Sequence, residues 1–258
     1  MSKKFFRYVV YFLLAYVSFL FWTLPADQAF VFARKRAAIP VQVDTQDLTG
    51  TWHSGRAVRC VIGDVVVQDL VWRLRLLPLL TGRVSSDVKC KISGGKFQGR
   101  LSGNRNQLTA SGIQLAFPSS LLEQFFPKIY AVPLGGEITG SIDAVKVVDG
   151  VIVEARGDIM WQGAATKTPP IVKLGDIRAV GVTDEEGVKI HFADGGGPLD
   201  VNGDLWLTRQ GGFQFTGSFA VRDKTQKNLN DALSLLGRPG ADGRVTLSFD
   251  GVMPRIVF

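Results

Sequence analysis

The sequence predicts a mainly β protein, in which a single N-terminal transmembrane helix precedes a large antiparallel, curved β-sheet with one or two short helices. Three observations predict this fold class. Residues 8–26 carry no charge, apolar and polar residues alternate with a period of two from Val41 onward, and glycine-containing turn signals separate the alternating runs. Glycine makes up 29 of the 258 residues, which favours many short elements joined by tight turns.

The uncharged run at residues 8–26 is close to the length that a membrane-spanning helix needs, about 20 residues. Tyr8, Tyr11 and Trp22 lie near its ends, where aromatic rings suit the lipid–water interface. A cleaved signal peptide is the alternative, but the run is long for its apolar part and no small-x-small cleavage site follows it well. We therefore expect an uncleaved, single-pass anchor.

Basic residues on the two sides of the anchor set its predicted orientation. Lys3, Lys4 and Arg7 lie closer to the apolar run than the basic residues 34–36 do, which predicts a cytoplasmic N-terminus. The residues at 34–36 either touch lipid phosphates or form a solvated helix end. The predicted organisation is a cytoplasmic N-terminus (1–7), a transmembrane anchor (8–26), a juxtamembrane segment (27–39) and a periplasmic β domain (40–258).

Period-two alternation predicts half-buried strands in the β domain, and the short connections favour antiparallel hairpins. The clearest alternating runs are residues 151–161, 199–207, 213–221 and 245–249. Turn signals lie at Gly63-Asp64, Gly94-Gly95, Asp149-Gly150, Glu186-Gly187 and Gln210-Gly211-Gly212. Strands do not alternate with long helices, which excludes a doubly wound nucleotide-binding fold.

Two short helices are predicted to interrupt the strands. Residues 119–126 lie between two prolines, and residues 225–236 carry one apolar stripe with Gly237 as the predicted C-terminal cap. The members of the stripe are Leu229, Ala232, Leu233 and Leu236. The stripe is expected to pack on the sheet, and the alternative is that it binds a partner.

The proline-flanked segment 118–133 raises the question of whether the β domain is one unit or two. It separates possible halves at residues 40–117 and 134–258, and a weak sequence echo supports the division. The echo relates Leu48-Thr49-Gly50-Thr51 to Ile138-Thr139-Gly140-Ser141. One continuous curved sheet is the alternative.

The two cysteines, Cys60 and Cys90, both alternate in phase with apolar neighbours and are predicted to face the core. In a simple meander they lie two strands apart, roughly 9–10 Å, which is too far for a disulfide. This arrangement predicts two buried thiols. A Cys60–Cys90 disulfide remains the alternative if the sheet folds over itself.

Composition and motifs exclude several classes of function. The net charge is +7, but Lys3, Lys4 and Arg7 supply three of these charges, so the rest of the chain does not suggest a nucleic-acid-binding protein. Nucleophile-elbow, zinc-protease and phosphate-loop motifs are absent from the sequence. The glycine-rich stretches 94–99 and 135–140 have no helix after them and are predicted as hairpin turns. We expect no catalytic residue, cofactor or metal site.

A catalytic triad would have to use His53 or His191, the only histidines. His191 falls on a polar face with Lys189, and His53 lies in a predicted turn, so neither is expected to act in catalysis. The acidic stretch 184–186 lacks the ligand spacing of a calcium loop and is predicted to be a hairpin tip.

Trp206 shares a predicted face with three polar residues, Asp200, Asn202 and Asp204. An exposed tryptophan can anchor a partner, which makes Trp206 a candidate contact residue. The alternative is that the helix at residues 225–236 covers it.

Several motifs in order resemble the type II secretion system protein N family. They follow the anchor, and each is weak alone while their order and spacing are more specific. The motifs are Leu48-Thr49-Gly50-Thr51-Trp52 with Gly55-Arg56-Ala57, Leu70-Val71-Trp72, Leu79-Leu80-Thr81-Gly82, Gly157-Asp158-Ile159-Met160-Trp161, Leu174-Gly175, Gly196-Gly197-Pro198-Leu199, Gly203-Asp204-Leu205 and the run from Leu235 to Arg244.

This resemblance implies a non-enzymatic inner-membrane protein with a periplasmic β domain, which assists export of folded proteins together with other type II secretion components. The lipid bilayer would be contacted through the N-terminal helix. The alternative function is a membrane-anchored periplasmic lipid-binding or lipid-transfer β-groove protein. Its groove would be lined by Phe213, Phe215, Phe219, Val245, Leu247 and Phe249. An envelope hydrolase that uses the two histidines is a third hypothesis.

Overall fold

A computed structural model describes residues 3–36, 43–62, 65–122, 133–167, 171–223 and 225–255. Thirteen strands form one sheet, in which each strand pairs antiparallel with its neighbours in the sequence. The prediction of a mainly β, antiparallel fold is confirmed. The strands are β1 (Val43–Thr51), β2 (Ser54–Ile62), β3 (Val65–Leu74), β4 (Val84–Ile92), β5 (Gly95–Gly103), β6 (Gln107–Pro118), β7 (Leu134–Val148), β8 (Val151–Thr166), β9 (Lys173–Thr183), β10 (Gly187–Asp194), β11 (Leu199–Thr208), β12 (Gly212–Val221) and β13 (Val245–Val252).

In the described chain, helices precede the sheet, connect β3 to β4 and connect β12 to β13. They are α1 (Lys3–Thr23), α2 (Ala26–Arg36), a 3₁₀ helix (Leu77–Thr81) and α3 (Lys227–Leu236). In the part of the chain that the structure describes, no helix combines the length and the apolar character needed to cross a membrane. The uncharged run 8–26 continues past the end of α1 at Thr23, and the transmembrane anchor stays a prediction.

Helix α2 occupies most of the predicted juxtamembrane segment. Leu24 and Pro25 interrupt the helical structure between α1 and α2, because proline lacks the N–H that a continuous helix would need. Residues 34–36 form its last residues, and their side chains lie outside the described part of the structure.

Tight turns between strands explain two of the predicted hairpins. Ser93 and Gly94 connect β4 to β5 with φ values of 49° and 84°, and Asp149 and Gly150 connect β7 to β8 with φ values of 50° and 80°. Positive φ at both central residues is the pattern of a type I′ turn, whose twist matches that of paired strands. The turn at Gly63-Asp64 lies outside the described residues.

The glycine-rich stretches differ from the prediction of two hairpin turns. Gly94 belongs to a turn, but residues 95–99 continue into β5. Residues 135–140 lie wholly within β7, so the turn prediction there is wrong. Gly136, at a φ of 104°, forms an irregularity in the pairing of β7 with β8, and the strand continues through it. A glycine pair therefore marks a bulge here rather than a chain reversal.

The sheet continues across the segment that was predicted to join two halves. β6 pairs with β7 from Gln107↔Val148 to Pro118↔Glu137. Half of the helix predicted at 119–126 lies outside the described residues; Leu121 and Leu122 begin a helical turn. The pairing agrees with one continuous sheet, and the independent folding of the halves 40–117 and 134–258 stays a prediction.

The amphipathic helix predicted at 225–236 is confirmed as α3. Leu229 and Leu233 are buried and pack against Leu199, Val201 and Val245 of the sheet. The predicted capping role of Gly237 is wrong in its geometry, because its φ of 174° is extended backbone. A side chain at this position would meet the Cγ1 atom of Val245 at 2.9 Å, so the glycine permits a close approach of the two segments.

Candidate functional site: the apolar face of the sheet

One row of paired residues shows that the apolar face runs across ten strands. From β4 to β13 every residue in this row is glycine, cysteine or a hydrocarbon side chain. The row is Cys90, Phe97, Leu115, Gly140, Ile159, Ala179, Phe192, Gly203, Gly217 and Leu247. The residues next to it along the strands form the opposite face. That row is Lys89, Gln98, Gln114, Ser141, Asp158, Val180, His191, Asp204, Thr216 and Ser248.

The C-terminal end of the apolar face is closed by α3. Val245 is fully buried, and Leu229 and Leu233 retain 3% and 6% of their exposure. Val172 of the segment before β9 joins the same cluster, together with partly buried Phe219. These contacts form an ordinary hydrophobic core.

The groove predicted at this end is only partly present. Phe219, Val245 and Leu247 pack in the core with α3, so they do not line an open groove. Phe215 and Phe249 instead form an aromatic cluster beyond the helix, with ring centroids 4.9 Å apart. Phe249 is 52% exposed, because β13 is the last strand of the sheet.

The N-terminal end of the same face is covered by α2 but is hollow. A cavity of about 490 Å³ lies between this helix and strands β1 to β3. The helix contributes Ala26, Ala29 and Phe30, and the strands contribute Leu48, Ala57, Cys60 and Leu70. Sequence reasoning missed this site, because it assigned Ala26 to the anchor and residues 27–39 to a juxtamembrane segment. The apolar spacing of Ala26, Ala29 and Phe30 was the available signal.

Two tryptophans complete the cavity wall. Trp72 of β3 donates its Nε1–H to the backbone oxygen of Trp52 at 3.1 Å, so its polar atom is satisfied and its ring can face the cavity. Gly55 makes room for this ring: a Cβ atom there would lie 2.4 Å from Cζ2 of Trp72. The residues that carry the first resemblance motifs thus build this cavity.

The end of α1 is tied to the same corner of the sheet. Trp52 N–H donates to the backbone oxygen of Leu24 at 3.2 Å, and Pro25 forms an isolated bridge with Thr51. His53 lies in the β1–β2 turn, as predicted, with its Nε2 atom 3.2 Å from the backbone oxygen of Trp22. The histidine therefore contacts the helix end.

The two cysteines are free and buried, on β2 and β4 with β3 between them. Both pack against Val67. This is the arrangement expected from a simple meander. Burial raises the pKa of the Cys60 and Cys90 thiols, and the Asp44 carboxylate raises that of Cys60 further. The Cys60–Cys90 disulfide stays a prediction for an oxidising compartment.

Charged pairs occur at both ends of the sheet, and the C-terminal strands carry a bidentate one. Arg244 donates to both carboxylate oxygens of Asp200, at 3.2 and 2.9 Å, and to Oγ of Ser218 at 2.6 Å. The hydrogen bonds from Arg244 lower the pKa of Asp200. Sequence reasoning missed this pair, because its members are 44 residues apart.

Asp194 organises the loop before β11. Its carboxylate accepts hydrogen bonds from the backbone N–H groups of Gly196 and Val201 and pairs with Arg222 at 2.6 Å. Burial raises the pKa of Asp194, but these hydrogen bonds outweigh it, and the net effect lowers the pKa. Gly197 lies here against Gly175, where a Cβ atom would come within 2.6 Å of the other glycine's Cα.

Trp206 lies on the polar face, half-buried, with the Nζ atom of Lys189 4.8 Å from its ring centroid. Helix α3 packs on the opposite face of the sheet, against Leu199 and Val201, so the alternative that this helix covers Trp206 is wrong. A lysine over an indole is a cation–π contact. The role of Trp206 in partner contact stays a proposal.

His191 also lies on the polar face. Its Nδ1 atom is 2.9 Å from Oδ1 of Asp204, and Lys189 approaches the same carboxylate at 3.5 Å. Among the described residues, no serine or cysteine is hydrogen-bonded to this pair. The same part of the chain contains no group of three or more potential metal ligands. Asp184 accepts hydrogen bonds from the N–H groups of Glu186 and Gly187, which closes the predicted hairpin tip.

The two edges of the sheet differ in regularity. In β1, Asp47 has a φ of 52°, and Asp47 and Val58 drop out of the pairing of β1 with β2, although the register is the same on both sides of them. β13 pairs with β12 without interruption from Val245 to Val252. An irregular edge strand discourages further pairing, whereas a regular exposed strand favours it. The outer edge of β13 is therefore the better surface for strand addition.

Comparisons with known proteins give one family. The family model described as "Type II secretion system (T2SS), protein N" matches residues 41–248, which include twelve complete strands and the first half of β13. A type II secretion system protein N from Aeromonas hydrophila is 25% identical over 93% of this chain and 95% of its own length. One from Vibrio cholerae is 20% identical over 83% of this chain and 86% of its own length. No solved structure matches the chain. The chain belongs to the type II secretion system protein N family.

Proposed function

We propose that this protein is a non-enzymatic, single-pass inner-membrane component of a type II secretion system, which assists the export of folded proteins through contacts made in the periplasm. The observation that carries the proposal is the family match over residues 41–248. This match extends over the sheet, so the sheet is the part of the chain to which a shared role is assigned.

Residues 8–26 are proposed to attach the protein to the inner membrane, with residues 1–7 in the cytoplasm. The proposal rests on the uncharged sequence and on the side chains that α1 exposes. Tyr8, Phe12 and Phe19 are 70%, 73% and 63% exposed. Large apolar side chains are stabilised when they leave water, and lipid provides such an environment.

Protease accessibility in spheroplasts tests this topology, with a different tag at each end of the full chain. We expect external protease to remove the C-terminal tag and the sheet while the N-terminal tag survives. Protection of both tags until lysis would show that the sheet lies in the cytoplasm. That result would contradict the periplasmic role.

The outer edge of β13 is proposed as the contact with other secretion components, by addition of an extended partner strand. Main-chain hydrogen bonds would supply affinity, and the exposed side chains of Phe249 and Val252 would add apolar contact. Trp206 on the polar face is proposed as a second contact, because a half-buried aromatic ring can anchor a partner.

Substitution at the two edges separates this proposal from a general surface effect. We expect Phe249→Lys to reduce both recovery of secretion components in affinity purification and export of secreted enzymes, since an edge lysine discourages pairing. The matched change Gln46→Lys on β1 should preserve both. Trp206→Ala tests the second contact in the same assays. Equal losses from the two lysine variants would remove β13 as the specific edge.

The lipid-groove alternative has little support at the six residues predicted to form it, because three of them pack with α3.

A further inference from the structure

We propose that the cavity under α2 holds one acyl chain of a membrane phospholipid. This inference rests on the proposed membrane attachment only for the source of the lipid. The binding site itself rests on the shape and chemistry of the cavity, which no relative's name assigns.

The wall of the cavity is apolar. None of the residues that line the cavity carries a charge, and the lining is formed by aliphatic and aromatic side chains with one thiol and one hydroxyl, Cys60 and Thr45. The indole N–H of Trp72 in this wall already has its acceptor, the backbone oxygen of Trp52. A ligand that needs hydrogen bonds or counter-charges would lose its hydration without replacement, whereas a hydrocarbon chain would not.

The cavity also has a suitable size, since about 490 Å³ falls within the range of natural small-molecule pockets, roughly 300–1,000 Å³. At the C-terminal end, the equivalent space under α3 is filled by Leu229 and Leu233. Under α2 the helix residues in the wall are Phe30 and two small residues, Ala26 and Ala29, and space remains beside them. A hydrocarbon ligand would complete the packing that leucines provide at the other end.

The cavity also lies close to the end of α1. Ala26, in the cavity wall, is three residues after the last residue of α1, a span of at most about 11 Å. The hydrogen bond from Trp52 to Leu24 and the contact of His53 with Trp22 hold that helix end against the sheet. If α1 is embedded in lipid, the cavity lies at the bilayer surface. An acyl chain can then reach it without crossing water, and the charged headgroup can stay outside the cavity.

Tryptophan fluorescence gives a direct test, because Trp52 and Trp72 line the cavity and bromine quenches indole emission at short range. The full chain would carry Trp22→Phe, Trp161→Phe and Trp206→Phe and be reconstituted in phosphatidylethanolamine–phosphatidylglycerol vesicles. We expect phospholipids with brominated acyl chains to remove most of the emission. A companion that keeps only Trp206, on the polar face, should retain its emission.

Filling the cavity distinguishes occupancy from mere closeness to the bilayer. Ala29→Phe places a ring into the cavity from the helix side, and Ala57→Leu fills it from the sheet side. Both should restore most of the emission while circular dichroism shows an unchanged fold. The inference would be overturned if brominated phospholipid quenched a folded variant with a filled cavity as strongly as the unfilled protein. It would also be overturned if brominated phospholipid did not quench the unfilled protein. Two variants guard against a failure to fold, since Ala57 is fully buried whereas Ala29 is half-buried.

Two further measurements separate the possible failures. Flotation of the same vesicles reports membrane attachment, so a protein that does not float contradicts the anchor rather than the cavity. For the cavity, a brominated free fatty acid is added to vesicles of unbrominated phospholipid. Quenching by the fatty acid alone, with none from brominated phospholipid, would overturn the assignment to a membrane lipid.

Discussion

The two ends of the sheet present the same apolar face under a helix, yet one end is solid and the other hollow. At the C-terminal end, α3 inserts Leu229 and Leu233 between strand side chains, and Val245 has no exposure. At the N-terminal end, α2 offers Ala26, Ala29 and Phe30, and a cavity of about 490 Å³ remains. Both helices cover the face, so the difference lies in how completely their side chains fill the space beneath them.

The close-packed end of the sheet is suited to stabilising the fold, whereas the hollow end is suited to binding a ligand. A closely packed end contributes dispersion and burial, whereas an open apolar cavity forgoes part of that gain and can bind a ligand. Ion pairs do not follow this division, because Arg75 and Arg100 pair with Asp87 at the hollow end and Arg244 pairs with Asp200 at the solid end.

Matched leucine truncations should show the largest difference. Leu229→Ala removes a buried side chain from a close-packed core, which we expect to cost about 2–5 kcal/mol of the free energy of unfolding. Leu70→Ala borders an existing cavity and is only half-buried, so we expect about 1–2 kcal/mol. Chemical denaturation of the full chain in mild detergent, followed by circular dichroism, measures both. Equal costs would mean that the N-terminal end is as solid as the C-terminal one.

Neutralising one aspartate at each end should give a smaller difference. Asp200→Asn weakens the bonds from Arg244, and we expect a loss of about 1–2 kcal/mol in unfolding free energy. Asp87, which pairs with Arg75 and Arg100, has a more exposed side chain, so Asp87→Asn should cost less than about 1 kcal/mol. The same denaturation experiment applies. A larger cost at Asp87 would contradict the ranking.

These carboxylates also predict the sign of the pH dependence. Hydrogen bonds from Arg244 lower the pKa of Asp200 in the folded chain, and those from Arg100 and Arg75 lower that of Asp87. The corresponding stability is present above the unfolded pKa, about 4, and is lost as the pH falls through the lower folded pKa. The stability difference between the parent chain and Asp200→Asn should therefore shrink at acid pH. An increase below pH 4 would contradict the assignment.

Thiol reactivity tests the burial of Cys60 and Cys90 at the hollow end, and it needs no substitution that would change the stability of the protein. Because burial raises the pKa of Cys60 and Cys90, we expect slow alkylation of the folded chain, which accelerates as the pH increases. Denaturation without reductant should expose two thiols per chain. The absence of reactive thiols under those conditions would instead support the Cys60–Cys90 disulfide.

Local patterns predicted the features that depend on neighbouring residues. Alternation identified the strands, the leucine stripe identified α3, and Asp149-Gly150 identified its hairpin, because each of these depends on local backbone preference or on one buried face. The stretch 135–140 misled the prediction, since glycine favours bulges as well as turns. None of these features depends on contacts between residues that are distant in the sequence.

The cavity and the ion-pair network could not be found in this way. Trp72 and Gly55 meet only because β2 and β3 pair in one register, and Arg244 reaches Asp200 across 44 residues of sequence. Alternation also left open which face α3 would cover, so the environment of Trp206 needed the assembled sheet. These features depend on strand register, which a hydrophobic pattern constrains only to within two residues.

The order of the strands has a consequence for how the sheet unfolds. Every described strand pairs only with the strands before and after it in sequence, so the sheet is held together by a linear series of strand pairs. As in repeat proteins, cooperativity in such a series decreases with distance, and opening proceeds inward from the ends. A ligand bound under α2 would therefore stabilise the first strand pairs of the series against opening from that end.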